Sequence, residues 1–209
     1  MRTPLYFNYS GARRDLLDRA IDSYQSHADH LIDIRVNYSV QPRHFSKCLN
    51  EILRAVGTEK KFFFAHYDSE IESCLPIETM LKDNSNSAIL SWTLVTDLLM
   101  LVDTDKVKSV GGWDELFCNS YMELDLINRL AQEGMPLKVI NDTIHHGNGL
   151  LHNDASVLRS KVQAENIAKV YSETFLKDAL NYYTRYGQGI KDPAYLALIE
   201  HSNIHFPKD

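Results

Sequence analysis

Hydrophobic positions in the first third of the chain switch between two periods, and the switching order predicts the fold. Residues 5–9 form a short apolar run that predicts a strand, followed by a Ser10-Gly11 turn. Leu16, Leu17, Ala20, Ile21 and Tyr24 then recur at helical spacing. Residues 31–36 predict a second strand, with Ile32, Ile34 and Val36 on alternate positions. After Pro42 a second helix is expected, with Phe45, Cys48, Leu49, Ile52, Leu53 and Val56 facing inward and Gly57 placed to end it. The run 61–65 is too short for a helix and rich in aromatics, so it reads as a buried strand. Strands joined by crossovers of helical length pair in parallel, and such a sheet needs cover on both faces. The expected class is therefore α/β, with a mixed, mostly parallel central sheet flanked by helices.

Farther along, residues 88–92 and 98–102 predict two more strands, the second antiparallel. Gly111-Gly112-Trp113-Asp114-Glu115 is a glycine-punctuated loop, residues 124–131 a helix closed by Gly134, and residues 136–140 a last short strand. From residue 154 to 186 the pattern is helical and mixed in charge, with Ile167, Val170, Phe175, Leu176 and Leu180 available for one packed face. There is no internal repeat or low-complexity segment.

A chain of 209 residues with 44% hydrophobic content is long enough for one good core. A single domain over 1–209 is expected, its C-terminal part from about 154 helical, and additional domains in a longer polypeptide remain open. The formal net charge of −6 disfavours a nucleic-acid coat, so any phosphate site must be local. Neither a signal peptide nor a membrane anchor is expected from the N-terminal residues or from any apolar run. Three widely spaced cysteines, Cys48, Cys74 and Cys118, disfavour a disulfide framework and a zinc site, and point to a reducing, cytoplasmic home. The sequons at Asn8, Asn37 and Asn141 are discounted, because two lie in or beside predicted strands.

The candidate chemistry begins where Phe62-Phe63-Phe64-Ala65-His66-Tyr67 breaks into Asp68-Ser69-Glu70. Two carboxylates one residue apart suit a hard divalent cation, Mn²⁺ or Mg²⁺, held together with the oxygens of a diphosphate. A solvated turn is the competing reading. In an open α/β sheet, ligands bind outside the carboxyl ends of the strands, where this pair would lie. The chain has no Gly-x-Gly-x-x-Gly and no Walker loop, so metal rather than a glycine nest would hold the phosphates. His145 and His146 follow the last strand and offer a third ligand, against the alternative of a solvated histidine pair.

Three segments in order resemble the GT-A glycosyltransferases of family 2: Asp68-Ser69-Glu70, the Gly111 to Glu115 loop, and Glu123-Leu124-Asp125 with Arg129 and Gly134 behind it. The resemblance spans roughly residues 5–147. It implies a GT-A fold, a UDP-sugar donor, Mn²⁺ and a saccharide acceptor. The string also resembles the N-terminal domains of chlorella virus enzymes that glycosylate a capsid protein, which implies transfer of a glucose- or rhamnose-like hexose onto a glycoprotein glycan in the host cytoplasm.

By that resemblance, Asp68 and Glu70 hold the metal, and Asn8, Tyr9, Ser10 and Arg13 meet the nucleotide. Tyr9 would stack on uracil or pack in the core, Arg13 would fork onto a phosphate, and Asp33 would contact base or ribose while Arg35 faces solvent. Trp113 and Asp114 would line the sugar pocket, with plain core packing as the rival for Trp113. Glu123 would be the base and Asp125 an orienter of hydroxyls, although both also suit a helix start. Tyr182, Tyr183 and Tyr186 would form either a sugar-stacking surface or, as favoured, a half-buried helix face.

Two departures from the family pattern stand out. Glu70 replaces an aspartate, and Met122-Glu123 stands where Glu-Asp is usual, which leaves inversion or retention open. A nucleotide-sugar or carbohydrate-binding domain without turnover is the alternative. Sugar-phosphate nucleotidyltransfer fits less well, because residues 8–14 hold one glycine instead of a glycine-rich basic loop.

Overall fold

The computed structural model describes residues 2–9, 14–38, 44–92, 98–118, 121–140 and 145–146, with Asp178, Asn181, Tyr182, Arg185 and Tyr186. In chain order the elements are β1 (Thr3–Tyr9), α1 (Arg14–Ala28), β2 (Ile32–Tyr38), α2 (Phe45–Ala55), β3 (Lys61–Ala65) and β4 (Ser69–Glu70). There follow α3 (Leu75–Lys82), β5 (Ile89–Ser91), β6 (Leu99–Asp103), α4 (Thr104–Ser109), α5 (Met122–Gln132), β7 (Lys138–Val139) and β8 (His145–His146).

The main sheet has the order β2-β1-β3-β6-β5-β7. Strands β2, β1 and β3 pair in parallel, β6 runs antiparallel to both β3 and β5, and β7 is parallel to β5. The expected mostly parallel α/β sheet is thus present, with β6 reversed. Its central strands show why the apolar runs are continuous. Phe62 and Phe64 of β3 enter one core layer with Leu49, Ile52 and Leu53 of α2. Phe63 and Ala65 enter the other, with Leu17, Ala20 and Tyr24 of α1. A strand covered on both faces has no solvent side on which to place polar residues.

Two helices escape the periodicity. α3 is eight residues long and carries Pro76 in its first turn, where the missing N–H costs nothing. α4 has only six, and is started by Asp103, whose side chain accepts from the Lys106 amide at 3.1 Å. Within the stretch expected to be helical from 154 to 186, Asp178, Asn181, Tyr182, Arg185 and Tyr186 are helical, and the rest lies outside the described residues. Tyr182 is 2% exposed and joins the α2-side core, in keeping with the favoured packing reading of that cluster. Among the described residues, no helix is long and apolar enough to cross a membrane.

The glycine loop is fastened to α2 by one side chain. Asn50 donates to the Trp113 carbonyl at 2.7 Å and accepts from the Trp113 amide at 3.0 Å, as a neighbouring strand would. Gly112 makes that approach possible. Its φ is +74°, and a Cβ there would lie 2.7 Å from Asn50 Oδ1. Replacing Asn50 with alanine should leave two buried backbone groups unsatisfied and cost about 2–4 kcal/mol, read as a lower midpoint in urea unfolding.

On the far edge, Asp83 after α3 pairs with Lys138 of β7. The Lys138 ammonium foremost, then the Ser85 hydroxyl and amide, holds the Asp83 carboxyl down to about 2. A carboxyl lowered on folding stabilises the native state above its unfolded value, and that contribution goes as pH falls through the folded value. Acid titration should therefore remove stability between about pH 4 and pH 2, and Lys138→Gln should flatten that part of the curve.

Candidate active site

The carboxyl end of β3 turns sharply into β4, and Asp68 sits in the turn with only 1% of its surface exposed. Its carboxylate meets the Nδ1 of His66. The turn is closed by Ser69, whose amide and hydroxyl both donate to the His66 carbonyl, at 3.0 and 2.8 Å. Tyr24 of α1 shares a hydrogen bond with the Ser69 hydroxyl at 3.2 Å, and burial pushes the Tyr24 phenol well above its ordinary range. Glu70 is half-buried and ion-paired with Arg19 of α1.

β4 pairs antiparallel with β8, placing His145 opposite Glu70 and His146 opposite Ser69. Facing residues in such a ladder have Cα atoms about 4.5–5.5 Å apart. The backbone thus brings the two histidines to the strand that follows Asp68, one of them opposite Glu70, from residues far apart in the chain. Among the described residues, no three histidine, cysteine or carboxylate side chains form a preassembled cage. Two hard oxygen donors with coordination left for phosphate and water suit Mg²⁺ or Mn²⁺.

Aromatic rings line the neighbouring strand ends. Tyr9 at the end of β1 is 8% exposed and packs edge-on against Tyr38 and Tyr67, each at 6.1 Å between centroids. Tyr67 lies against the His66 ring at 4.9 Å. Tyr9 is therefore held in a row of rings, of which Tyr38 is the open member at 62% exposure. Asn8 accepts from the Asn37 amide at 3.2 Å. Ser10 and Arg13 lie outside the described residues.

Asp33 stands apart from this group. It is the second residue of β2 and is ion-paired with Arg35 at 2.7 Å. Five residues of strand separate it from Tyr38, or about 17 Å. Arg35 also donates to the Tyr6 hydroxyl at 3.0 Å.

Trp113 and Asp114 form a second grouping. Trp113 is 1% exposed, in the core layer under α2 and α5. Beside it a cavity of about 630 Å³ is lined by Asn50, Arg54, Lys108, Gly112, Asp114 and Arg129. Asp114 is ion-paired with Arg185 at 2.6 Å. Burial alone would raise its carboxyl, but the Leu116 amide and the Arg185 guanidinium outweigh burial and lower it.

Tyr121 caps the start of α5; it adopts φ +60° and is the one non-glycine residue with positive φ among those described. Glu123 is half-buried in the first turn. Asp125 is fully buried. One of its oxygens accepts from Arg129 at 2.6 and 2.8 Å, the other from Arg185 at 2.6 Å and the Tyr186 hydroxyl at 2.7 Å. Burial first, then Asp125, pushes the Tyr186 phenol up to about 12. Arg129 continues to the Val110 and Gly112 carbonyls at 2.5 and 2.8 Å, tying the glycine loop to α5.

Arg19, His66 and Arg185 also belong to the site, by their contacts with Glu70, Asp68, Asp114 and Asp125. His66 alone left a signal, two residues before Asp68. The others act across the chain from exposed or helical positions that no local spacing marks. Substituting Asp125 with asparagine should deprive the partly exposed Arg129 and Arg185 of their buried counter-charge and cost about 1.5–3 kcal/mol, measured by thermal or urea unfolding.

No family model matches the chain, and no curated protein matches it in sequence. Solved structures do match in fold. A mutant Drosophila β1,4-galactosyltransferase 7 in complex with manganese, UDP-Gal and xylobiose superposes with a TM-score of 0.54 at 12% identity, covering 74% of each chain. A mannosyltransferase of Pyrobaculum calidifontis in complex with GDP-Man and Mn²⁺ gives 0.52 at 10% identity, over 95% of this chain and 79% of that one. Residues 1–349 of S. aureus TarS give 0.50 at 11% identity, over 90% and 73%. The fold is that of the GT-A glycosyltransferases.

Proposed function

We propose that this chain is a metal-dependent glycosyltransferase that moves a hexose from a nucleotide-diphosphate sugar to a saccharide hydroxyl. The observation that carries the reading is the Asp68-Ser69-Glu70 turn at the carboxyl end of β3, with β8 setting His145 and His146 beside it. The fold supports the same reading, and two similar structures hold manganese with UDP-Gal or GDP-Man. UDP as the nucleotide, a glucose- or rhamnose-like sugar and a glycoprotein glycan as acceptor in a viral host's cytoplasm rest on the family resemblance.

Asp68 and Glu70, with His145 or His146, would hold Mn²⁺ or Mg²⁺. When bound, the ion supplies Lewis-acid neutralisation of the charge that develops on the departing diphosphate. Glu70 must leave Arg19 to take part, and Asp68 must share its carboxylate with His66. The open ring of Tyr38, braced by Tyr9, presents a face on which a nucleobase stacks. Arg13 and Ser10 would reach the phosphates and ribose, as Asn8 would from the end of β1.

Glu123 would take the acceptor proton from the first turn of α5. Asp125 has its carboxylate fully engaged, so it acts by fixing that turn and with it Glu123. Asp114, through Arg185, ties the glycine loop to the same carboxylate, and Trp113 supports it from the core.

Calorimetric titration with UDP, GDP and CMP, each with and without Mn²⁺, tests the reading. UDP should bind only with Mn²⁺ and should cease to bind in Asp68→Ala, whose fold is checked by circular dichroism. Nucleotide binding that ignores the metal and survives Asp68→Ala would remove the transferase reading, and binding without any turnover or donor hydrolysis would favour a non-catalytic domain.

A further inference from the structure

A cysteine, a histidine and a serine meet where the start of α2 approaches the segment leading into α5. Cys118 Sγ is 3.8 Å from His44 Nε2, and His44 Nδ1 is 3.1 Å from Ser46 Oγ. Ser46 is fully buried, and its hydroxyl donates to the Phe117 carbonyl at 2.6 Å. A hydroxyl has one proton, and a carbonyl oxygen can only accept. Ser46 Oγ must therefore accept from His44, which puts the imidazole proton on Nδ1 and leaves the Nε2 lone pair facing the thiol. That is the arrangement of a nucleophile, a base and a group that orients the base.

We infer that Cys118 is a modification site, a nucleophilic thiol activated by His44 toward small electrophiles and peroxides. The Sγ proton passes to His44 Nε2. With iodoacetamide the thiolate forms a carbon–sulfur bond as the carbon–iodine bond breaks and iodide leaves. With hydrogen peroxide the sulfur takes one oxygen as the O–O bond breaks. Sulfur is oxidised to a sulfenic acid, and the peroxide is reduced to water, its departing oxygen receiving the imidazolium proton.

The surroundings bear on this in both directions. Cys118 and His44 are each only half-buried, so a reagent has access. The Asp178 carboxylate accepts from the Cys118 amide at 2.9 Å. Its charge opposes a thiolate, so Asp178 works against the activation and His44 works for it.

The other two cysteines are internal controls. Cys48 is 2% exposed within α2. Cys74 is half-buried, donates to the Glu78 carboxylate at 3.4 Å, and is raised chiefly by that bond.

The test is timed iodoacetamide labelling of the intact chain at neutral pH, with each cysteine peptide followed by mass spectrometry. Cys118 should label about tenfold faster than Cys74, the gain in thiolate that a neighbouring imidazole gives, and Cys48 should label last. His44→Gln should bring Cys118 down to the Cys74 rate and leave Cys74 unchanged. Cys118 labelling no faster than Cys74 in the unaltered chain overturns the inference, as does a Cys118 rate indifferent to His44→Gln. If that variant loosens the fold, seen as faster Cys48 labelling, the ratio in the unaltered chain decides. Dilute hydrogen peroxide followed by a sulfenic-acid probe should mark the same residue first.

Discussion

The buried Asp125 carboxylate is the constraint around which one half of the molecule is arranged. An ionised group in the interior is tolerated only when its lone pairs are met by charge and by hydrogen bonds. Here Arg129 comes from its own helix, while Arg185 and Tyr186 come from about sixty residues away. Arg129 has donors to spare and uses them on the carbonyls of the glycine loop. One carboxylate thereby decides where α5 begins, how the loop is held, and which surface the C-terminal helical residues cover.

The loop is then held from its other side by α2. Asn50 pairs with the Trp113 backbone, and the Phe45 amide donates to the Cys118 carbonyl at 2.7 Å. α2 and α5 thus grip the same connecting segment at several points along its length. The first turn of α5, with Glu123, inherits its position from that grip. The opposite core layer, under α1, plays the corresponding part for Asp68. Tyr24 and Ser23 of α1 hold Ser69 and Ile71 on either side of Glu70.

The sheet was legible in the sequence because apolar runs and helical spacings are local signals. The run at 61–65 coincides with β3, and the two central helices begin and end within a residue or two of where their apolar faces and glycines place them. α3 and α4 were not legible, since helices of eight and six residues carry no readable period. The ladder of β4 with β8 is two residues long and joins positions about seventy-five apart, which no spacing announces. The candidate site divided along the same line. The carboxylate pair was readable because its members are neighbours in sequence. The ties from Arg19 to Glu70 and from Arg185 to Asp114 and Asp125 exist only once the chain has folded. Asp33 shows the converse: an alternating strand pattern tells which face a residue takes, but not how far along the strand it lies from the ligand edge.

Tyr121 illustrates how a strained position limits the paths open to mutation. Its left-handed backbone costs an ordinary residue about 1–2 kcal/mol, and glycine would be spared that cost. Yet glycine would surrender a ring stacked 5.3 Å from Tyr182, together with the apolar surface it buries. An aliphatic side chain would keep the strain and lose the stacking. A non-aromatic replacement at this position is therefore opposed on two counts, the backbone's and the ring's, and the residue that best meets both is an aromatic one.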